Sequence, residues 1–182
     1  MTKDDCRALF SQAKLHFNEG SYREAADAFG QIALPGLTFE DKALVFHYLA
    51  LCSSYLEHFS DSLDYFERAK NEEPASALIS FNQGLTYYFL ASRQKKPRLY
   101  LKMALHCFND ALAKEATNPE FWYYRGYMHA LLDNTDKAIY CFERVFSLAQ
   151  CFENKELCEL YEEMYVRKNL SAKKLPDHIQ RE

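Results

Sequence analysis

The side chains that most often carry out chemistry are scattered along this sequence. The histidines are His16, His47, His58, His106, His129 and His178. No glycine-rich loop, nucleophile elbow or HExxH spacing organises them for catalysis. The cysteines are Cys6, Cys52, Cys107, Cys141, Cys151 and Cys158. They form no CxxC pair and no metal-ligand spacing with histidine, which favours buried thiols in a reducing compartment. We therefore expect no catalytic residue, no metal site and no cofactor, and we do not expect an enzyme.

Composition agrees with a soluble protein of one domain. The chain has 182 residues, of which 48% are hydrophobic and 26% are charged, as is usual for a globular domain. The net charge of −4 argues against general affinity for nucleic acid, which needs a broad basic surface. The sequence has no 18-residue apolar run and no signal peptide, so we expect no membrane span and a cytoplasmic location.

The most regular pattern lies in the stretch 120–148, EFWYYRGYMHALLDNTDKAIYCFERVFSL. Trp122 precedes Gly126 by four residues, which places both on one face of a helix. Gly126 has no side chain to hold a partner helix away, and Ala138 and Phe142 provide a matching small residue and an aromatic ring. Pro119 fits the first turn of a helix. The stretch therefore predicts two helices that pack closely across a short turn.

The same design occurs four times in the chain. The small first-helix residues are Ala13, Ala50, Gly84 and Gly126, with spacings of 37, 34 and 42 residues. The second-helix aromatic residues are Phe29, Phe66, Phe108 and Phe142. Each aromatic residue follows its small residue by 16 positions, except in the third unit, where the separation is 24. We therefore predict an eight-residue insertion near 92–100 that lengthens each helix of that unit by about one turn, with Pro97 beginning the second helix.

A fifth element follows the four units. Apolar residues from Leu157 to Tyr165 recur at helical spacing and predict an amphipathic helix over 152–170. The expected domain spans 1–170, with units near 5–36, 42–74, 76–116 and 119–150. The polar segment 171–182, interrupted by Pro176, is expected to be a flexible tail.

The repeated pattern resembles the tetratricopeptide repeat (TPR) family. The resemblance rests on Trp122, Gly126, Ala138 and Phe142, with Asn134 near the turn. It implies an all-α fold, a right-handed superhelical solenoid of about four helix-turn-helix units closed by a C-terminal capping helix. It also implies a protein-binding function rather than a chemical reaction.

In that family the first helices line a concave surface, and the resemblance assigns a groove to the face beside the packing stripe. The predicted groove residues are Phe10, Lys14 and Phe17 in the first unit; His47, Tyr48, Leu51 and Tyr55 in the second; Phe81, Asn82, Leu85, Tyr88 and Phe89 in the third; and Tyr123, Tyr124, Tyr127 and Leu131 in the fourth. Most are apolar or aromatic, and soluble monomers rarely expose such a patch without a function.

Three interpretations of this groove stay open at the level of sequence. An extended or helical segment of another protein could bind in it, with tyrosine hydroxyls and Asn82 contacting the segment's backbone. The chain's own C-terminal segment or a second copy in a homodimer could cover it instead. Tight curvature of the solenoid could also bury most of the rings as ordinary core.

Two branches of the family help to narrow the role. Co-chaperones that hold the acidic C-terminus of heat-shock proteins use Lys, Asn and Arg on successive first helices. The matching positions here, apart from Lys14 and Asn82, are apolar or aromatic. We therefore do not expect this chain to bind a terminal carboxylate in that way. In size, acidity and groove character the chain also resembles type III secretion chaperones of hydrophobic clients. We expect an adaptor or scaffold; such a chaperone and a structural subunit of a permanent assembly are the alternatives.

The inserted segment is a second candidate site because it concentrates positive charge in an acidic chain. Its basic residues are Arg93, Lys95, Lys96, Arg98 and Lys102, which we call the basic hairpin. One interpretation is a solvated loop tip that keeps the protein soluble. The other is a surface that docks on an acidic protein, RNA or anionic lipid.

Overall fold

A computed structural model describes residues 2–33, 41–95, 97–148 and 155–173. These residues form nine helices and contain no β-strand. The helices are α1 (Lys3–Asn18), α2 (Tyr22–Ile32), α3 (Lys42–Tyr55), α4 (Phe59–Glu72), α5 (Ala77–Arg93), α6 (Pro97–Lys114), α7 (Pro119–Leu131), α8 (Thr135–Leu148) and α9 (Lys155–Lys173).

Consecutive helices pair as hairpins, and each hairpin packs on the next one along the chain. The pairs α1/α2, α3/α4, α5/α6 and α7/α8 make the most extensive contacts, and α9 packs against α8. The predicted all-α solenoid of four units with a closing helix is therefore confirmed. Each unit covers only part of its apolar surface alone, so neighbouring units complete the core.

In the third and fourth hairpins, a glycine of the first helix faces an aromatic ring of the second helix. A Cβ atom added to Gly84 would lie 2.6 Å from Cε1 of Phe108, and one added to Gly126 would lie 2.5 Å from Cε1 of Phe142. Both rings are fully buried. The absence of a side chain at these two glycines lets the helices approach within contact of the ring edge.

Three of the four hairpin turns end the first helix in the same way. Gly20, Glu57 and Asp133 have φ values of 79°, 60° and 63°, which is the left-handed conformation that favours glycine. In each turn the next backbone N–H reaches back five residues, as from His58 to the carbonyl of Ser53 at 2.8 Å. This is the hydrogen-bond pattern of the Schellman motif, which satisfies the last carbonyls of a helix.

The third unit replaces this turn with additional helix. Helix α5 has 17 residues and α6 has 18, compared with 13 and 14 in the fourth unit. Pro97 is the first residue of α6, where its missing N–H leaves no intrahelical hydrogen bond unmade. The insertion thus lengthens both helices by about one turn, and the third hairpin extends beyond its neighbours.

Helix α9 closes the C-terminal end of the solenoid. Leu157 and Met164 are buried in the core that the third and fourth units share, and Tyr161 packs edge-on against Phe146 at 5.4 Å. The helix runs to Lys173, past the predicted end at residue 170. The remainder of the predicted tail, 174–182, lies outside the described residues.

Candidate functional site

The predicted groove opens towards the C-terminal ends of the first helices. In α3, α5 and α7 the predicted residues become more exposed along the chain. The last ones, Tyr55, Phe89 and Leu131, are 57%, 47% and 40% exposed, whereas His47 and Phe81 near the helix starts are buried. The groove therefore presents apolar surface mainly at one edge.

His47 and Phe81 belong to the core rather than to an open groove, which corrects their predicted placement. The Phe81 ring packs against Phe121 at 4.7 Å and against Phe108 at 5.6 Å, so it fills the junction between the third and fourth units. Burial lowers the pKa of His47 to about 4. The imidazole is neutral at pH 7, and Asn82 donates to its Nε2 atom at 2.8 Å. This contact holds the Asn82 side chain between α3 and α5.

Half-buried aromatic rings line the N-terminal part of the groove. Phe17 lies 5.2 Å from Tyr48 and 5.9 Å from Tyr55, in edge-on contacts, and Phe10 contacts Tyr48 at 6.0 Å. The ammonium of Lys14 lies 6.0 Å from the ring centres of both Phe10 and Tyr48, within the range of a cation–π contact. These predicted residues therefore pack on one another and form a continuous surface.

A pocket of about 290 Å³ lies between α3 and α5 within the groove. Five predicted groove residues line it: Leu51, Tyr55, Asn82, Leu85 and Phe89. The sequence analysis did not predict the other polar residues of this pocket or its remaining lining residues. The missed lining residues are Ser54, Glu57, Phe59, Thr86 and Ser92, and the pocket is also lined by Arg93, which was predicted as part of the basic hairpin.

Two of the missed residues, Ser54 and Thr86, could have been predicted from their spacing in the sequence. Ser54 follows Leu51 by three positions and Thr86 follows Asn82 by four, so helical spacing places each beside a predicted residue. The Thr86 hydroxyl donates to Oγ of Ser54 at 3.1 Å, which joins the two helices under the pocket. An apolar pocket with a few polar groups on its wall is typical of sites that bind an anchor side chain or small ligand.

Tyrosines cover the C-terminal part of the groove and pack mainly on each other. Tyr123 stacks on Tyr127 at 6.2 Å and meets Tyr124 edge-on at 5.1 Å, and Tyr88 lies 5.7 Å from Tyr127. Burial, and then a hydrogen bond with the Tyr127 hydroxyl, raise the pKa of Tyr88 to about 12. These rings contribute to folding as well as to the surface, whereas Leu131 is exposed at its edge.

Both arginines of the basic hairpin form ion pairs with acidic residues of this same chain. The guanidinium of Arg93 lies 2.6 Å from a carboxylate oxygen of Glu57, and that of Arg98 lies 3.2 Å from Asp133. Arg98 also donates to the carbonyl of Leu132 at 3.3 Å. Both acidic partners are the left-handed turn residues of the neighbouring units. Lys95 and Lys102 are exposed, and Lys96 lies outside the described residues.

The described cysteines are unpaired thiols. Cys6, Cys52, Cys107 and Cys141 are buried, and Cys158 is exposed; Cys151 lies outside the described residues. Burial raises the pKa of Cys52 and Cys107 to about 12 and that of Cys141 to about 11. These three thiols stay protonated at neutral pH, and a protonated thiol is a poor nucleophile and metal ligand.

No helix in the described ranges is both long enough and apolar enough to cross a lipid bilayer. A search of curated proteins finds no match to the chain. Solved structures match its fold over nearly its whole length.

MamA from Desulfovibrio magneticus RS-1 is 15% identical to this chain and has a TM-score of 0.75. The match covers 93% of this chain and 88% of the MamA chain. A thermophilic TPR protein of Thermus thermophilus is 17% identical, with coverage of 90% and 82% and a TM-score of 0.69. The first TPR domain of Spaghetti (RPAP3), solved with an HSP90 peptide, is 18% identical, covers 70% of this chain with 94% of its own, and has a TM-score of 0.61.

The family comparison agrees with the sequence pattern. Residues 103–150 match the family model of the tetratricopeptide repeat, a range that contains all of α7 and α8. The third hairpin repeats the packing of a glycine against an aromatic ring, and the small and aromatic residues at the equivalent positions of the first two hairpins are fully buried. The resemblance seen in the sequence is therefore confirmed: residues 103–150 match the tetratricopeptide repeat family, and the chain has the fold of a TPR solenoid.

Proposed function

We propose that this protein is a non-catalytic protein-interaction module whose groove binds an apolar segment of a client protein, as an adaptor or scaffold does. The observation that carries the proposal is the pocket of about 290 Å³ between α3 and α5, which Tyr55 and Phe89 line. The side chains of these two residues are exposed, as is that of Leu131 at the end of α7. Exposed apolar surface of this kind lowers solubility unless a partner covers it.

The shape of the pocket favours one bulky apolar side chain of the client as an anchor. An engineered protein cavity of about 150 Å³ accepts benzene, so about 290 Å³ has room for a larger ring or a branched chain. Ser54, Asn82 and Ser92 line the same pocket and offer hydrogen bonds to the client backbone. Anchor residues in well-packed pockets contribute most of the affinity in many interfaces.

The fold lends this proposal further support. The TPR domain of RPAP3, which shares the fold, was solved with a peptide bound. Its peptide is acidic, SRMEEVD, whereas the described groove residues of this chain carry Lys14 and little other charge. We therefore expect the client segment to be recognised by apolar anchors rather than by its carboxylates.

The test compares two triple variants in recovery of partners from native lysate. The groove variant changes Tyr55, Phe89 and Leu131 to serine. The matched control changes three similarly exposed apolar residues on other surfaces, Leu15, Leu99 and Tyr165, also to serine. We avoid Tyr88 and Tyr127 because their rings are half-buried and pack on each other, so that their loss would disturb folding. Tyr55 also contacts neighbouring rings, but more than half of it is exposed.

We expect a partner that is recovered with the wild type and the control variant but not with the groove variant. Circular dichroism should give the same helicity for all three proteins, and calorimetry with the purified partner should measure the loss of affinity. Equal recovery by both variants would contradict the proposal. So would a wild-type dimer that becomes a monomer only in the groove variant, because the groove would then be covered by a second copy.

A further inference from the structure

Helix α7 presents a second set of recognition side chains on the side opposite to the groove. Tyr123, Tyr127 and Leu131 follow one face of the helix, whereas Trp122, Arg125 and His129 follow the opposite face, because successive residues are separated by about 100°. Arg144 and Tyr140 on α8 join this second face. We call the residues Trp122, Arg125, Tyr140 and Arg144 the outer cluster.

The outer cluster places two guanidinium groups beside one indole ring. The Cζ atoms of Arg125 and Arg144 lie 5.2 Å and 5.6 Å from the ring centre of Trp122, and Tyr140 meets the same indole edge-on at 5.9 Å. Tyr140 is exposed. Trp, Tyr and Arg are the residue types that dominate binding energy at protein interfaces.

Arg125 and Arg144 are partly buried residues, yet within the described ranges neither forms an ion pair with a carboxylate. Among those same residues, the Nε atom of Arg125 and the Nδ1 atom of His129 are buried without a hydrogen-bond partner. The His129 side chain is only 5% exposed. A partly buried cation loses hydration, and a cation–π contact offsets only part of that cost.

In the preceding unit, the residues at the positions equivalent to the outer cluster have partners that balance their charges. The repeat spacing places Ser80, Gln83 and Asp110 where Trp122, Arg125 and Arg144 stand. There, Asp110 accepts from the Ser80 hydroxyl at 2.6 Å and from the Lys114 ammonium at 2.9 Å. Gln83 donates to Glu67 at 2.6 Å.

The fourth unit replaces the acid of this network with arginine. The resulting positive charge stands in a chain of net charge −4, so it is a local feature of this surface.

We propose that the outer cluster is a docking site for an acidic segment of a partner protein, separate from the groove. Guanidinium groups bind carboxylates through paired N–H donors, and the exposed Tyr140 ring offers apolar contact to the methylene groups of Glu or Asp, while the buried indole of Trp122 supports both guanidinium groups from below. The carboxylates would supply the missing counter-charge. The site can therefore be occupied while a client segment fills the groove.

Trp122 is the only tryptophan of the chain, so its fluorescence reports directly on this site. The probe is a blocked octapeptide of alternating Glu and Ala, titrated at low salt, with the corresponding Gln–Ala octapeptide as the neutral comparison. Calorimetry provides the affinities. We expect a saturable fluorescence change and heat only with the acidic peptide, and weaker binding as the salt concentration rises.

Three substitutions locate the binding. We expect Arg144→Gln to weaken peptide binding about tenfold or more. Arg68→Gln is the matched control, because the Arg68 guanidinium also lies over aromatic rings, those of Phe46 and Tyr65, but far from Trp122 in the sequence. If Arg144→Gln fails to fold, Arg144→Lys keeps the charge but loses the paired donors, and we expect it to weaken binding severalfold.

Three results would overturn the proposal. The first is no saturable response of the wild type at low salt. The second is the same affinity for wild type, Arg144→Gln and Arg144→Lys. The third is an equal response to inorganic phosphate at the same concentration, which would identify a small-anion site instead. None of these outcomes depends on the groove, because the Tyr55, Phe89 and Leu131 variant should bind the acidic peptide normally.

Discussion

At the scale of single residues, the contact between a small residue and an aromatic ring determines how closely each hairpin packs. Gly126 and Gly30 make a direct comparison, because both lie inside helices. A Cβ at Gly126 would meet Phe142 and Cys141 at 3.0 Å or less, whereas a Cβ at Gly30 would meet no atom within 4 Å. The Phe142 ring is fully buried, so moving it would disturb the residues packed around it.

We predict that Gly126→Ala lowers the free energy of unfolding by about 1 to 3 kcal/mol, because the added methyl group overpacks the hairpin. Gly30→Ala should instead raise it by about 0.5 to 1 kcal/mol, since alanine restricts the unfolded chain and favours a helix. Urea denaturation followed by circular dichroism measures both. Equal stability of the two variants would mean that the close packing at Gly126 does not limit stability.

The spacing of residues in the sequence predicted these contacts but not the exposure of the groove. Spacing alone identified Gly84, Gly126 and their aromatic partners, because hairpin packing is local and repeats with the unit. The stripe Phe81, Leu85 and Phe89 was also visible as a four-residue period. Its change from buried to exposed was not, because exposure depends on how far each first helix extends past its neighbours, which is a property of the whole solenoid.

At the scale of elements, the long third hairpin acts as a brace between its neighbours. Arg93 at the end of α5 pairs with Glu57 of the second unit, and Arg98 at the start of α6 pairs with Asp133 of the fourth. The hairpin reaches both turns only because the insertion adds about one turn to each helix. Both pairs are exposed, so their contribution is modest and sensitive to salt.

We predict that the double variant Arg93→Gln, Arg98→Gln loses between about 0.2 and 1 kcal/mol of stability for each pair at low salt. The loss should disappear near 1 M salt, where screening extends over only about 3 Å. Urea denaturation at both salt concentrations measures it.

The control for this brace is Lys95→Gln with Lys102→Gln. It removes the same number of charges from the same hairpin, and neither lysine forms an ion pair within the described ranges. If the two double variants are equally stable at low salt, the arginines do not brace the hairpin.

About half of this element could be predicted from the sequence. The insertion, its length and the role of Pro97 followed from the repeat spacing and the chemistry of proline. The ion pairs did not, because each joins residues about 35 positions apart and depends on the left-handed turns that present Glu57 and Asp133. The cluster of positive charge in the sequence therefore includes two arginines that pair with neighbouring units, and it is not simply a free basic surface.

At the scale of the whole molecule, the two proposed binding surfaces share only helix α7, where they lie on opposite faces. The groove lies on the first helices, and the outer cluster lies where α7 and α8 meet on the other side. Because each unit contacts mainly its neighbours, stability is expected to vary along the chain. The C-terminal end depends on α9, which buries Leu157 and Met164.

We predict that Met164→Ala destabilises the C-terminal end by roughly 2 to 5 kcal/mol, because it leaves a cavity in a buried site. Tyr165→Ala is the control, since Tyr165 is the adjacent residue and half of its surface is exposed; we expect it to change stability by less than about 1 kcal/mol. Hydrogen exchange locates the effect. Protection should fall in α7, α8 and α9 of the Met164 variant and stay unchanged in α1 to α4, because the loosened contacts are several units away. Loss of protection along the whole chain would instead mean that the solenoid unfolds as one unit, and the two binding surfaces would then depend on every repeat at once.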